Sequence, residues 1–244
     1  MQPKLYTNLA YLWHIFSPHE DYAEEAETFH LRLQRHGISD GASILHLGSG
    51  GGSLDYNLRT WYRVVGVDLS PEMINQAQQI NPELEYVHGD IREIRLGRLF
   101  DAVVVHDAIA YMTSPAELHA VYGTAAAHLR SGGVMLAAPE ELRERLKERR
   151  TTVTTHESGG LVLNVMESCF DPIPDDHEFE VVLVFLIRRG EELQVEVDRH
   201  RHGVFTLEEF LAAVRSAGFS AQAEEWELSW GTEPPMPLMV AVKQ

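Results

Sequence analysis

An apolar run at residues 44–47 leads directly into a glycine-rich turn at 48–52, and this junction constrains the fold more than any other feature. A second apolar run, 64–67, ends in Asp68, which follows Gly48 by 20 positions. A strand, a glycine turn, a helix and a second strand ending in an acid are typical of a nucleotide-type binding unit. Glycines let the backbone approach a ligand closely, and a carboxylate can accept hydrogen bonds from two ribose hydroxyls. The segment therefore predicts an α/β fold with a ligand at the carboxyl ends of its strands.

The pattern after this turn alternates between strands and helices. Strands are predicted at 44–47, 63–68, 85–88, 100–105 and 134–138, with helices between them. Ser70 and Ser114 each precede a proline, as N-caps before a helix do. A helix over 207–217 and two strands, near 221–226 and 238–242, complete the pattern. Such alternation implies parallel pairing in a doubly wound sheet.

The alternation is interrupted after Pro139. Residues 140–150 are highly charged and are expected to be helical, whereas 151–155, 161–168, 179–187 and 193–197 have the pattern of successive strands. Glycine- and proline-rich turns separate these strands. We expect an antiparallel insertion at 140–202 within an α/β part formed by 1–139 and 203–244.

The first 36 residues contain an aromatic segment followed by an amphipathic helix. Apolar positions in 21–36 follow helical spacing. Before them, Tyr6, Tyr11 and Trp13 belong to a segment expected to lie across the fold as a short helix. Its aromatic side chains either pack against the core or form a lid over a ligand, with packing the more common role.

Charge and cysteine content exclude several partners and sites. The chain has 20 Lys and Arg against 37 Asp and Glu, a net charge of −17, which disfavours nucleic acid because phosphate contacts need cations. No apolar run approaches the roughly 18 to 20 residues that span a bilayer, so no membrane partner is expected. Cys169 is the only cysteine, which excludes an internal disulfide and suits a cytoplasmic location. The start of the chain has no apolar stretch of the signal-peptide kind.

Three details narrow the kind of nucleotide site. The glycines are spaced Gly48-x-Gly50-x-Gly52, whereas a dinucleotide fingerprint would have its third glycine at position 53, which is Ser53. An acid, Asp90, follows the third predicted strand, and a glycine pair at 132–133 precedes the fifth. As a set, these residues resemble the class I S-adenosylmethionine-dependent methyltransferases. The resemblance implies a Rossmann-like, seven-stranded and mostly parallel sheet with one reversed strand at its edge.

The resemblance also implies which residues hold S-adenosylmethionine. Asp68 would hold the ribose hydroxyls, Asp90 the adenine amino group, and His106 would border the sulfonium end. The full set of implied cofactor-binding residues is His46, Gly48, Ser49, Gly50, Gly52, Asp68, Leu69, Met73, Asp90, Ile91 and His106.

His46 is the one irregular member of this set, because the family usually has Asp or Glu there to organise the glycine turn. A neutral imidazole can accept a hydrogen bond but lacks the full negative charge that favours a cationic ligand. We expect His46→Asp to preserve or tighten cofactor binding.

A narrower similarity connects the chain to bacterial small-molecule methyltransferases such as the amino-sugar N,N-dimethyltransferases. It rests on the segment 21–26, on Leu96-Gly97-Arg98 and on the antiparallel insertion. It implies a small-molecule acceptor with a nitrogen or oxygen nucleophile. It also implies that the insertion forms part of the substrate cavity and a homodimer contact.

His106, Asp107 and Tyr111 are the candidate catalytic residues because they follow the fourth strand at the reactive end. Methyl transfer is an in-line displacement that depends mainly on positioning, and a base is needed only where the nucleophile must lose a proton. His200-x-His202 is the only compact pair of metal-ligand type, and no metal is expected. The charged segment around this pair, residues 198–202, is expected to be exposed to solvent. Binding of an anionic group of the substrate is the less favoured alternative.

Other functions remain open at this stage. His46 leaves open a methyltransferase-like binding protein that has lost activity. A nicotinamide-dependent oxidoreductase is disfavoured by the glycine spacing and by the lack of a Tyr-x-x-x-Lys pair. Methylation of a protein side chain would require an open groove in place of a closed, aromatic-lined cavity.

Overall fold

A computed structural model describes residues 2–139, 141–147, 149–174, 176–226, 228–229 and 235–244. Its helices and strands follow in the order α1 (Trp13–Phe16), α2 (Ala23–Arg35), β1 (Ser43–Leu47), α3 (Ser53–Leu58), β2 (Arg63–Asp68), α4 (Pro71–Ile80), β3 (Glu85–His88), β4 (Phe100–Val105), α5 (Pro115–His128), β5 (Leu129–Ala137), β6 (Thr151–Ser158), β7 (Leu161–Phe170), β8 (Glu178–Arg189), β9 (Glu192–Gly203), α6 (Leu207–Ser216), β10 (Phe219–Trp226) and β11 (Met236–Lys243). Short 3-10 helices lie at Lys4–Tyr6, Ala10–Leu12, His19–Tyr22 and Asp107–Tyr111.

Seven strands form the main sheet, in the order β3-β2-β1-β4-β5-β11-β10. The pairs β1–β2, β2–β3, β1–β4 and β4–β5 are parallel, and β11 is antiparallel to both β5 and β10. The mostly parallel Rossmann-like sheet is therefore confirmed. The reversed strand lies one position in from the edge, not at the edge as expected, because β10 takes the outermost place and the chain then returns between β10 and β5.

Helices cover both faces of this sheet because its strands are apolar on both sides. Val103 and Val105 share one core with Val121 of α5 and Phe210 of α6. The alternate residues of the same strand, Ala102 and Val104, belong to a second core, which also contains Phe29 and Leu33 of α2 and Leu54 and Leu58 of α3. Two-sided burial of this kind leaves the carboxyl ends of the strands as the place where polar side chains gather.

The helix boundaries follow from their caps. Ser70 accepts a hydrogen bond from the Met73 backbone at 3.1 Å, and Ser114 accepts one from Glu117 at 3.3 Å, as the sequence predicts. The last helix, α6, begins with a capping box formed by Thr206 and Glu209. In the described part of the chain, no helix has both the length and the apolar character that crossing a bilayer requires.

The insertion is a separate four-stranded antiparallel sheet in the order β6-β7-β8-β9. Its inner face packs on the N-terminal segment, where Leu5, Leu9 and Leu12 form a third core with Leu163 and Phe185. The last strand, β9, continues to Gly203, well past the predicted end at residue 197. The segment 198–202 is thus part of the sheet.

Residues 141–147 and 149–150 form turns and irregular structure, so the helix expected at 140–150 is wrong there; residues 140 and 148 lie outside the described part. Tertiary hydrogen bonds satisfy this backbone in place of helical ones. The Arg143 amide donates to the Phe205 carbonyl, and the Arg149 amide donates to the Cys169 carbonyl, each at 2.9 Å. A high density of charge allowed the helix but did not require it.

Candidate active site

A cavity of about 240 Å³ lies at the carboxyl ends of β1, β2 and β4. One side is formed by the glycine turn and the acids that follow the strands, and the other by the N-terminal segment. Its lining includes His46, Gly48, Ser49, Gly50, Asp68, Leu69, Asp90, Ile91, His106, Asp107 and Tyr111, together with Tyr6, Trp13 and Tyr22. Most of the residues selected from the sequence therefore meet in one cavity.

The glycine turn is shaped by left-handed backbone and by close neighbours. Gly48 has φ 81° and Gly50 has φ 53°, values that disfavour residues with a Cβ. A Cβ on Gly48 would overlap the Ala108 side chain, and one on Gly51 would overlap the Trp13 indole. This turn can present its backbone to a ligand only if these positions stay glycine.

Asp68 joins the glycine turn to the start of α4. Its Oδ2 accepts a hydrogen bond from the Gly50 amide and its Oδ1 accepts one from the Ser70 amide, both at 2.8 Å. Burial raises the pKa of Asp68, although the hydrogen bonds from Ser70 and Gly50 act in the opposite direction. Each carboxylate oxygen has a further lone pair, so the group can still accept from ligand hydroxyls.

Asp90 is held by its neighbour Arg92. The Arg92 Nε lies 3.0 Å from Oδ1 and the Nη2 lies 2.6 Å from Oδ2. These hydrogen bonds lower the pKa of Asp90, so the carboxyl stays ionised.

Two of the predicted contacts are absent from the cavity lining. Met73 is fully buried with its methyl carbon behind Gly50, and Gly52 packs against Asn81 and Tyr86. Neither is among the lining residues.

His46 is paired with a buried carboxylate from α3. Its Nδ1 lies 2.6 Å from Asp55 Oδ1, and the two residues are only 2% and 0% exposed. His46 borders the cavity, and its Nε2 has no hydrogen-bond partner among the described residues. A carboxylate therefore lies behind His46, but it comes from α3, nine positions along the chain, and no sequence pattern marked it.

His106 lies between two carboxylates. Its Nε2 is 3.1 Å from Glu25 Oε2 and its Nδ1 is 3.1 Å from Asp107 Oδ1. Burial by itself lowers the pKa of His106, but Asp107 and Glu25 outweigh it and raise that pKa well above the ordinary value. A protonated imidazole donates from both nitrogens and cannot take a proton. Glu25, in the predicted α2, carried no motif that marked it as a site residue.

Tyr111 connects the cavity to the insertion. Its hydroxyl lies 2.7 Å from the Tyr6 hydroxyl and 2.6 Å from His200 Nδ1, while His200 Nε2 lies 3.0 Å from Asp198 Oδ2. His200 and His202 are both buried, so the expectation that 198–202 is solvated surface is wrong.

Strand β9 carries polar residues on both of its faces. This explains why its histidines were expected to be exposed although they are buried. Asp198, His200 and His202 point inward, whereas the side chains of Arg199 and Arg201 are 71% and 79% exposed. Period-two alternation was present in the sequence, but the inward residues are polar and no apolar pattern marked the strand.

The N-terminal aromatic residues also differ in their positions relative to the cavity. Tyr6 and Trp13 line the cavity. Tyr11 is 43% exposed and lies against Arg189, away from it.

Comparisons with known proteins agree with this geometry. A family model described as "Methyltransferase domain" matches residues 44–133. A Streptomyces fradiae dTDP-3-amino-3,6-dideoxy-α-D-glucopyranose N,N-dimethyltransferase is 28% identical over 221 residues, which cover 83% of this chain and 79% of the relative.

Two solved structures show the same fold. Streptomyces venezuelae DesVI has a TM-score of 0.82 at 24% identity, covering 97% of this chain and 96% of its own. CalS10 from Micromonospora echinaspora, described as an amino pentose methyltransferase with SAM bound, has a TM-score of 0.79 at 24% identity, covering 91% and 92%.

The residues present fit S-adenosylmethionine. The turn at Gly48 and Gly50 forms a cradle that a Cβ would fill, and three ionisable acids, Asp68, Asp90 and Asp107, border a cavity for a cationic ligand. Asp55 adds a fourth behind His46. Residues 44–133 match the methyltransferase domain, the cavity fits S-adenosylmethionine as cofactor, and the chain is similar to the bacterial amino-sugar N,N-dimethyltransferases.

Proposed function

We propose that this methyltransferase methylates the amine of a small amino sugar. The observation that carries the proposal is one cavity in which the cofactor-binding turn meets Tyr6 and Tyr111, next to the buried end of β9. The names of the relatives support an amine acceptor. The aromatic and partly enclosed lining suits a small molecule better than a protein side chain.

The cofactor supplies a methyl group on a positively charged sulfur, and the protein must hold donor and acceptor in line. We assign the ribose hydroxyls to Asp68 and the adenine edge to Asp90, Ile91 and Leu69. We assign the methionine end to the glycine turn and His46. In this assignment Asp55 supplies, through His46, the negative charge that the irregular position lacks. This displaced acid weakens the argument for an inactive binding protein.

Asp107 is the residue best placed to orient the acceptor. Its side chain is 53% exposed at the cavity wall, and it is held by His106 on one side. Partial desolvation at the cavity wall opposes ionisation, but the neighbouring His106 lowers the pKa of Asp107 and keeps it a carboxylate. A carboxylate accepts an amine N–H and fixes the direction of the nitrogen lone pair. His106 then serves as a fixed donor, not as a base.

The residues that line the cavity include none from the insertion 140–202, so in this proposal the insertion supports the substrate side from behind, through the contact of His200 with Tyr111, and the rest of the site belongs to the part formed by 1–139 with 203–244. The outer face of the insertion also suits a second copy of the chain. Val153, Met166, Val184 and Val197 lie in register across all four strands. Val153, Met166 and Val197 are exposed. A self-complementary apolar face is what a two-fold homodimer requires, and light scattering of Met166→Lys against the unchanged protein would test it.

We also propose a cytoplasmic location. The single cysteine, Cys169, is buried as a free thiol, which suits a reducing compartment. Recovery of the native protein mainly in the periplasmic or secreted fraction of its host would contradict this.

The direct experiment uses dTDP-3-amino-3,6-dideoxy-α-D-glucopyranose, the substrate in the name of the Streptomyces fradiae relative. Incubation with S-adenosylmethionine should release S-adenosylhomocysteine and add one and then two methyl groups by mass. The matched control is the same nucleotide sugar with a hydroxyl in place of the amine. Equal methylation of the hydroxyl compound, or cofactor binding without turnover of any amino sugar, would reject the amine assignment.

A further inference from the structure

A chain of hydrogen bonds runs from the cavity into the interior of the insertion. It joins Tyr6 Oη to Tyr111 Oη at 2.7 Å, Tyr111 Oη to His200 Nδ1 at 2.6 Å, and His200 Nε2 to Asp198 Oδ2 at 3.0 Å. The two tyrosines border the cavity, whereas His200 and Asp198 are buried behind them at 3% and 4% exposure. The far end of the chain is therefore shielded from solvent.

The buried carboxylate fixes the direction of every proton in this chain. Asp198 can only accept, so His200 must carry its proton on Nε2 and leave Nδ1 as an acceptor. Tyr111 then donates its only proton to His200, and Tyr6 donates to Tyr111. Burial by itself would raise the pKa of Asp198, but hydrogen bonds from His200 and from the backbone of Lys4 and Leu5 lower it.

We propose that Tyr111, backed by His200 and Asp198, is the proton acceptor for the ammonium form of the substrate. The inference rests on the proposed amine acceptor. An N–H bond of the substrate ammonium breaks and its proton passes to Tyr111 Oη. The proton already on Tyr111 passes to His200 Nδ1, and the resulting imidazolium is held by Asp198. The electron pair of the broken bond remains on nitrogen as the lone pair that attacks the methyl group. Tyr111 touches the substrate, and His200 and Asp198 act through it.

The neighbouring histidines are unsuited to this step. Both nitrogens of His106 face carboxylates, and Asp107 and Glu25 hold its pKa high despite burial, so it is already protonated. Burial lowers the pKa of His202 to about 3, and its Nε2 has no hydrogen-bond partner among the described residues. Of His106, His200 and His202, it is His200 that combines an acceptor nitrogen toward Tyr111 with a carboxylate on its other nitrogen.

The sign of the pH effect follows from the groups around His200. These are Asp198 and His202 on β9, Tyr111 from the 3-10 helix after β4, and Tyr6 from the N-terminal segment. Only a His200 with a bare Nδ1 can take the proton that Tyr111 passes on. We call the transfer of a proton from the substrate through Tyr111 to His200 the relay. At a pH at which the substrate amine is itself neutral, the relay is no longer needed.

The first test determines, without any substrate, which ring nitrogen of His200 carries the proton. Long-range proton–nitrogen spectra of the histidine side chains in the whole protein at pH 8 should show His200 with a protonated Nε2 and a bare Nδ1. Assignment comes from the His200→Gln variant, which loses that signal. A protonated Nδ1 at this pH would overturn the relay, because Tyr111 could then not donate to it.

The second test measures kcat and kcat/KM across pH for Asp198→Asn, His200→Gln and Tyr111→Phe with dTDP-3-amino-3,6-dideoxy-α-D-glucopyranose. We expect losses of about 100-fold in kcat near pH 7. These losses should shrink as the pH rises through the ionisation of the amine. Affinity for S-adenosylmethionine by calorimetry should stay within about twofold. The matched control is His156→Gln, a histidine of the same sheet whose ring hydrogen-bonds Thr154 in its own strand and packs against Phe16.

The outcomes separate the relay from the proposed function. A deficit of the same size at every pH, or none in His200→Gln, would overturn the relay and indicate a structural role. If the unchanged enzyme methylates no amino sugar at any pH, the proposed function fails. The spectra still determine the direction of the hydrogen bonds that link Tyr111, His200 and Asp198. Should Asp198→Asn unfold, the spectra of the unchanged protein and the Tyr111→Phe profile remain decisive.

Discussion

His46 Nδ1 lies 2.6 Å from Asp55 Oδ1, in a pair that is buried on both sides. The histidine comes from β1, directly before the glycine turn, and the aspartate comes from α3, directly after it. The pair therefore ties the two ends of the turn together. It also places a negative charge behind the imidazole, whose other nitrogen borders the cavity.

Asp55→Asn should weaken the binding of S-adenosylmethionine more than that of S-adenosylhomocysteine. The amide keeps the size of the side chain but removes its charge, and only the first of these ligands carries the sulfonium cation. We expect a loss of about tenfold for the sulfonium ligand, which corresponds to about 1.4 kcal/mol. Calorimetry with both ligands measures it. Equal losses for the two would show that the pair shapes the turn without contributing charge.

The same pair revises the expectation for His46→Asp. From sequence alone this substitution should preserve or tighten cofactor binding, but in the structure it places a second carboxylate beside buried Asp55. Two adjacent buried carboxylates repel, and one must take up a proton. We now expect the single variant to lower the melting temperature and the affinity. The double variant, His46→Asp with Asp55→Asn, should recover both; failure of that recovery would count against the displaced-acid interpretation.

Asp68→Ala should weaken cofactor binding by about 2 to 3 kcal/mol, because it removes charge-assisted hydrogen bonds to the ribose hydroxyls. It also releases the Gly50 and Ser70 amides, which Asp68 now holds at 2.8 Å. Asp68→Asn is the matched variant, since it retains one acceptor oxygen and should lose less. Calorimetry against S-adenosylhomocysteine is the measurement. An unchanged affinity in Asp68→Ala would mean that the ribose lies elsewhere.

The stability of the protein should fall at alkaline pH because of His106. Its pKa in the folded protein is raised above the ordinary value of 6.5, since Asp107 and Glu25 overcome the effect of burial. A group with a raised folded pKa contributes stability that is complete below its unfolded pKa and is lost as pH rises through the folded pKa. Chemical unfolding from pH 6 upward should show this decline. His106→Gln should flatten it, whereas His156→Gln should leave it intact.

The sequence predicted the sheet and the cavity well for a physical reason. Each strand such as β4 is apolar on both faces, and the candidate site lies where these strands stop, so the strand pattern together with the glycine-rich turn pointed to Gly48, Asp68 and Asp107. It missed Asp55 and Glu25, on α3 and α2, and it placed His200 of the insertion on the surface. Their positions depend on packing between distant elements, which no local pattern records. The same limit explains why the expected helix is wrong at 141–147 and 149–150, because tertiary hydrogen bonds determine the backbone there.

Gly48→Ala should reduce both the cofactor affinity and the stability of the protein. The same substitution at Gly132 separates the effect of backbone strain from that of steric overlap. Gly48 and Gly132 both have left-handed backbone, with φ 81° and 76°, so alanine at either should cost about 1 kcal/mol in stability from backbone strain. Only at Gly48 would the new Cβ overlap a neighbour, the Ala108 side chain at the cavity wall, whereas nothing lies within 4 Å at Gly132. We therefore expect Gly132→Ala to lower the melting temperature slightly and leave binding unchanged. Adding Ala108→Gly to Gly48→Ala should restore part of the affinity but not the strain. If that double variant binds no better than Gly48→Ala alone, the steric account of the glycine cradle is wrong.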